Sequence, residues 1–392
     1  MLTGKQIVCF STEDWDPPLP TNKHQLMLRL AKNGNRVLYI ETLGIRKPGL
    51  GKSDMTRICN RLKKVLSAPQ ERFKNLLVLS PLVVPGRGSG ISLAINKALF
   101  RRRLKKAIRH AGFDKPIVWV FNPYAVHFLD AIPHELLIYH CVDDLSHVPG
   151  ADSQSILEAE RELLRRAHLV LTTSPPLYEK CRAFNTQTVF QPNVGDFSHF
   201  NKAMQDTTSI AEPVANLKHP VIMFAGNIAA AKVDFELIQQ LTMMRIDWSV
   251  VLIGPVWNDV SPLQLDSIRK YDNLHLLPQV PYPQLPSYLK AADVLIIPYH
   301  MNDYTRCVFP LKFFEFLATG KPVVSMALPS LKQYEGIVSV TETYQGFMRA
   351  VDEAVKMPDI KQAQRLELAR ENTWESRLKE ISDLIEEKLS IV

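Results

Sequence analysis

Cysteine is sparse in this 392-residue chain: Cys9, Cys59, Cys141, Cys181 and Cys307 are odd in number, scattered, and include no Cys-x-x-Cys pair. That argues against a disulfide framework or a zinc site, and we expect the reduced thiols of a cytoplasmic protein. No run approaches the ~18 uninterrupted apolar residues a membrane-spanning helix needs. Residues 1–20 carry Glu13, Asp14 and Asp16 and lack the basic-then-apolar order of a secretory signal. Acidic residues are scarce in one long stretch: positions 44–110 hold only Asp54 and Glu71 against 17 lysines and arginines.

The net charge of +7 is therefore unevenly spread. Residues 1–200 hold 28 basic and 17 acidic side chains, a balance of +11, and the rest hold 19 and 23, a balance of −4. Asn96–His110 reads as a basic amphipathic helix with Leu99, Leu104, Ala107 and Ile108 on or near one apolar stripe. Such a helix suits an anionic membrane surface, nucleic acid, or plain docking on a sheet with its cations in water. Nucleic acid is the weakest of these, because no aromatics are interleaved with the basic residues.

Both halves alternate short apolar runs with helix-length patterns, which implies parallel α/β architecture. In the first half we expect strands at 7–10, 36–40, 76–79, 117–121, 136–141, 168–173 and 188–190. Helices are expected there at 21–33, 92–111, 153–167 and 175–182. In the second half strands are expected at 221–225, 249–253, 274–277, 294–297 and 322–325, with helices at 233–243, 282–291, 310–318, 341–357, 360–371 and 373–389. The polar stretch 200–219 reads as a linker. Length and pattern together give domains 1–200 and 201–372.

The segment Phe309-Pro-Leu-Lys-Phe-Phe-Glu-Phe-Leu-Ala-Thr-Gly-Lys-Pro-Val-Val-Ser325 reads as a helix that opens at Pro310 and Leu311, stops at Gly320 and feeds an apolar strand. Free N–H groups at such a start can hold an anion. Lys312 and Glu315 lie three apart on one face. A cation and a carboxylate beside that start suit a nucleotide diphosphate and its ribose.

This segment resembles the nucleotide-sugar-binding segment of bacterial group 1 glycosyltransferases with the GT-B fold. The likeness is to the branch that builds exopolysaccharides and teichuronic acid, whose Pro-x-Lys-x-x-Glu-Tyr-Leu-Ala-x-Gly-Lys-Pro-Val-Val is altered here only at minor positions such as Phe316. The resemblance implies two Rossmann-like domains facing across a cleft, with helix 373–392 crossing back to the N-terminal domain. It implies donor contacts at Gly226, where backbone can approach phosphate, and in the loop with Tyr299, Asn302 and Arg306. Many relatives carry an arginine where Asn227 stands and a lysine one residue beyond Lys232; the resemblance makes both donor-side candidates, with Asn227 as a plain turn residue the other reading. Cys307 stands where retaining relatives carry a first glutamate, which puts more weight on Lys312 against the departing diphosphate.

In the first half, Tyr139-His-Cys-Val-Asp-Asp-Leu-Ser-His147 follows a strand and is similar to the same branch. The resemblance implies Asp143 as general base, with Asp144 or His147 orienting it; a helix N-terminal cap is the other reading. Asp14 and Trp15 match the branch on the acceptor side, where Trp15 offers a stacking face, or else packs in the core. Gly49–Ser53 and Pro85–Gly90 evoke phosphate loops, but Arg46 occupies the glycine position the first would need.

The resemblance thus implies an enzyme, a hexosyl-type glycosyltransferase. It would move sugar from a nucleotide diphosphate-sugar to a glycan, on a lipid carrier, in cell-surface polysaccharide synthesis. No cofactor or metal is expected, no nucleic acid, and a place in the cytoplasm or on the inner membrane face through residues 44–110. A nucleotide-sugar epimerase and a non-catalytic sugar-nucleotide or membrane-binding scaffold remain as alternatives.

Overall fold

The computed structural model describes residues 1–16, 20–43, 68–81 and 90–391, the side chains of 90–96 excepted. Residues 44–67 and 82–89 lie outside it, and with them about half of the basic stretch, all of Gly49–Ser53 and all but the last residue of Pro85–Gly90. The chain divides into two compact units. The first comprises Met1–Thr173, Leu177–Gln191 and Leu378–Val392; the second comprises Ser174–Pro176 and Pro192–Arg377.

The first unit holds β1 (Gln6–Phe10), β2 (Arg36–Ile40), β3 (Gln70–Phe73), β4 (Leu76–Leu79), β5 (Ile117–Val120), β6 (Leu136–Cys141), β7 (Leu169–Thr172) and β8 (Thr188–Phe190). They pair in the order β3-β4-β2-β1-β5-β6-β7-β8, parallel throughout except for the antiparallel β3–β4 pair. β5 and β6 are buried along their whole length. Helices on both faces force strands such as Ile-Val-Trp-Val to be apolar runs instead of alternating ones.

The second unit holds β9 (Val221–Ala225), β10 (Ser249–Ile253), β11 (Leu274–Leu277), β12 (Val294–Ile297), β13 (Val323–Met326) and β14 (Ser339–Thr341), all parallel, in the order β11-β10-β9-β12-β13-β14. Among the parallel strands of each sheet the order reverses once, between β1 and β5 and between β9 and β12. In doubly wound sheets ligands bind beyond the strands' carboxyl ends at such a reversal.

Several expectations need correction. The stretch 200–219 is not a bare linker: Phe197–Phe200, Asn201–Met204 and Glu212–Ala215 form short helical turns, and Phe200 and Val214 sit in the second unit's core. The units part at Pro192, not at 200, because Asn193 Nδ2 donates to the Phe309 carbonyl at 2.8 Å and Gly195 N to that of Asn372 at 3.2 Å. Thr373 caps the last helix, Trp374–Leu389, through the Ser376 N–H at 3.2 Å, and the chain from Leu378 onward counts with the first unit.

Candidate functional site

At the reversal between β9 and β12 the chain leaves β9 through Gly226, whose φ of +147° belongs to glycine. A Cβ there would lie 2.7 Å from both Cε and Nζ of Lys312, so the missing side chain is what admits the ammonium. Gly254, at the end of β10, is as constrained, since a Cβ would lie 2.0 Å from the Gly226 carbonyl oxygen. The loops after β9 and β10 are joined further by Ile228 N to Pro255 O at 3.0 Å and Trp257 N to Ile228 O at 2.8 Å. The Asp259 carboxylate accepts from Ala230 N and Ala231 N at 3.1 and 3.0 Å.

Lys312 is buried, and its Nζ donates to the Tyr299 hydroxyl at 2.6 Å. The ammonium also lies 4.5 Å from the Phe224 ring centroid and 4.9 Å from that of Tyr299. Two aromatic faces hold a cation without neutralising it. Tyr299, expected as a donor contact, is itself buried and directs its hydroxyl to Lys312.

The helix around Lys312 is shorter than its sequence suggests. It spans Lys312–Leu317, and its entry is a turn in which Phe313 N bonds Pro310 O, three residues back, at 3.0 Å. Six residues carry little macrodipole, so the charge at Pro310 and Leu311 is that of the Lys312 side chain. Gly320 ends it in the left-handed conformation, φ +71°, as its sequence implies. Glu315 is half-buried, and burial pushes its carboxyl up to about 7; Lys312 opposes this and Asp196 adds to it.

The loop after β12 is zipped to the loop after β9: His300 N bonds Lys232 O at 2.8 Å, and Asn302 Nδ2 donates to Ala231 O at 3.0 Å. Asn302 Oδ1 accepts from Tyr304 N and Thr305 N at 3.0 and 2.9 Å. Asn302 therefore shapes the loop. Lys232 lies over the Tyr304 ring at 5.3 Å, and the Arg306 side chain is exposed. Asp234 caps the Phe235–Met244 helix by accepting from Leu237 N at 3.0 Å, and takes the Tyr344 hydroxyl at 2.6 Å. Its contact with His300 Nδ1, 3.2 Å, raises the imidazole above its ordinary value against the opposing effect of burial.

In the first unit, Asp144 is buried and caps the Leu145–His147 turn, accepting from Ser146 N at 3.2 Å and Ser146 Oγ at 2.6 Å. His147 Nδ1 lies 3.3 Å from it. Lys180 Nζ bridges Asp144 at 3.1 Å and buried Glu160 at 2.7 Å. Burial alone would raise the Asp144 carboxyl; Lys180 and the Ser146 hydroxyl outweigh it and hold the group below its usual value. Asp143 is half-buried beside this cluster. Trp15 is half-buried against Tyr39 and His24, with centroids 5.0 and 5.5 Å away, and Asp14 offers its carbonyl to His24 Nε2 at 2.8 Å.

Sequence reasoning missed Phe224, Glu160 and Lys180. Phe224 reads as a strand residue, and the other two lie on separate helices with no motif linking them.

Residues 219–356, most of the second unit, match the family model described as glycosyl transferases group 1. Over 117 residues the chain is 38% identical to "Putative teichuronic acid biosynthesis glycosyltransferase TuaH" of Bacillus subtilis (strain 168), a match spanning 29% of this chain and 28% of that protein. Among solved structures, a sucrose-phosphate synthase from Thermosynechococcus elongatus superposes with a TM-score of 0.72 at 14% identity, over 99% of this chain and 100% of that one. Anabaena Alr3699/HepE, crystallised with UDP and glucose, gives 0.67 at 15% identity, over 99% and 100%. At such identities these two likenesses establish the GT-B fold alone. The matched segment 219–356 is a glycosyl transferases group 1 domain.

Proposed function

We propose that this GT-B chain, with its glycosyl transferases group 1 domain, moves a sugar from a nucleotide diphosphate-sugar to a glycan acceptor. The observation that carries this is Lys312: a buried ammonium at the β9–β12 reversal, held by aromatic faces and a phenol, beside a glycine whose missing Cβ leaves it room. Fixed positive charge at a developing diphosphate is commonly the largest catalytic contribution. Lys312 supplies that charge from the protein, and the reading calls on no metal or cofactor. Glu315, when ionised, accepts hydrogen bonds from ribose. Asp143 serves as base toward the acceptor hydroxyl on a turn anchored by Asp144, with Asp14, Trp15 and His147 on the acceptor side.

We extend the reading to a lipid-linked acceptor and a role in cell-surface polysaccharide, in keeping with the likeness to a protein named for teichuronic acid biosynthesis. In support, helix Gly90–His110 exposes Arg101, Arg102, Lys105, Lys106 and Arg109 while Phe100, Leu104, Ala107 and Ile108 are buried. Among the described residues no helix is long and apolar enough to cross a membrane. On this reading the chain works in the cytoplasm and meets the anionic inner membrane face through that basic surface.

The test is a thermal-shift screen against UDP, GDP, dTDP, ADP and CMP, with Lys312→Ala alongside. Stabilisation by one nucleotide, lost in the variant, supports the donor site and names the base. No shift with any nucleotide, with protein retained on membranes, favours a scaffold; donor turnover without acceptor favours an epimerase.

A further inference from the structure

Asn227 stands one residue past Gly226, and its Oδ1 is buried with no hydrogen-bond donor among the described residues. The backbone on either side is fixed: Gly226 N bonds Ile253 O at 2.8 Å, and Ile228 N bonds Pro255 O at 3.0 Å. A buried acceptor left unpaired weakens the folded state by about tenfold in its equilibrium constant, so its persistence calls for an explanation.

We propose that Asn227 Oδ1 accepts a hydrogen bond from a hydroxyl of the sugar being transferred. The inference rests on the donor-site reading above and deepens it. An acceptor oxygen gains nothing from phosphate oxygens, so Asn227 Oδ1 is not a diphosphate contact. Lys312 Nζ, packed against Gly226, is the group suited to that. A nucleotide diphosphate-sugar carries hydroxyls on two sides of its diphosphate. Glu315 is assigned to the ribose, which leaves the transferred sugar to supply the donor for Asn227. A site with such an acceptor discriminates against ligands that bring no hydroxyl to it, because binding them leaves the oxygen unpaired.

The experiment uses the full chain and Asn227→Ala. Calorimetry first finds which of UDP, GDP, dTDP and ADP binds, then compares that nucleotide with its commercially available glucose, galactose or mannose conjugates, taking the tightest. We expect the variant to bind the bare diphosphate within about twofold of wild type and the sugar nucleotide about tenfold more weakly, the loss of one buried hydrogen bond. Equal weakening of both ligands would place Asn227 on the diphosphate or ribose and overturn the inference, as would no change in either. The ligand-free melting temperature is an independent readout. Removing an unpaired acceptor leaves it unchanged or raises it, whereas a drop in Asn227→Ala shows a structural amide and also overturns the inference. If wild type binds no nucleotide, the donor reading itself fails, and this is distinguishable because Lys312→Ala then changes nothing either.

Discussion

Glu315 couples stability and nucleotide binding to pH in a direction set by its surroundings. Burial raises its carboxyl from an ordinary 4.5 to about 7, Lys312 offsetting part of this and Asp196 adding to it. Between these values the unfolded chain has lost the proton and the folded one keeps it. Folding therefore takes up a proton, and stability falls with rising pH by about 1.4 kcal/mol per unit. Across the window the loss is at most on the order of 3 kcal/mol, less to the extent that this half-buried group meets water. Glu315→Gln mimics the protonated side chain, so the variant should match wild type near pH 4.5 and exceed it progressively up to pH 8. Urea unfolding at pH 5 and pH 8 measures this, and equal stabilities at pH 8 would refute the account of burial. The same proton links to the ligand. If ribose hydroxyls bind the ionised form, nucleotide affinity rises with pH up to about 7 and levels above it, with proton release visible by calorimetry in two buffers.

Gly226→Ala should cost at least tenfold in nucleotide affinity, because its Cβ would displace the Lys312 ammonium from 2.7 Å. Gly254→Ala should be harsher, leaving little folded protein by circular dichroism, since its Cβ meets a backbone oxygen that cannot move aside. Lys180→Met leaves Asp144 and Glu160 buried without their shared cation. It should lower stability by on the order of 3 kcal/mol at pH 8 and less as the pH falls and Asp144 protonates, checked by urea unfolding. Tyr299→Phe removes the hydroxyl bonded to Lys312 and should weaken nucleotide binding several-fold by calorimetry without unfolding the protein. Charge reversal at Arg102, Lys105 and Lys106 together should abolish salt-sensitive sedimentation with anionic vesicles; unchanged sedimentation would remove the membrane from the reading.

The strands were legible because buried parallel strands are written as short apolar runs, and 76–79, 136–141, 221–225 and 294–297 match the structure residue for residue. β3 was not, since Gln-Glu-Arg-Phe is exposed throughout and held only by an antiparallel edge pairing. Pro123–Ala131 was missed for a related reason: it is a 3-10 helix, whose spacing differs from the 3.6-residue period used to find helices. At the candidate site, sequence named Lys312 and Glu315 by their spacing on one helix face. It could not say how the ammonium would be held, because Phe224 lies within one strand, Tyr299 follows another, and only the β9–β12 reversal brings their rings to Lys312. Asn227 is the sharper case. In sequence a turn asparagine after glycine is unremarkable, and the property that marks it, an acceptor with no donor, exists only once every neighbour has a position. Spacing along a helix or strand finds residues that share a face. A group defined by a missing partner is found only in the folded chain, and for that reason the ligand-free melting temperature of Asn227→Ala separates a site oxygen from a structural one without any knowledge of the substrate.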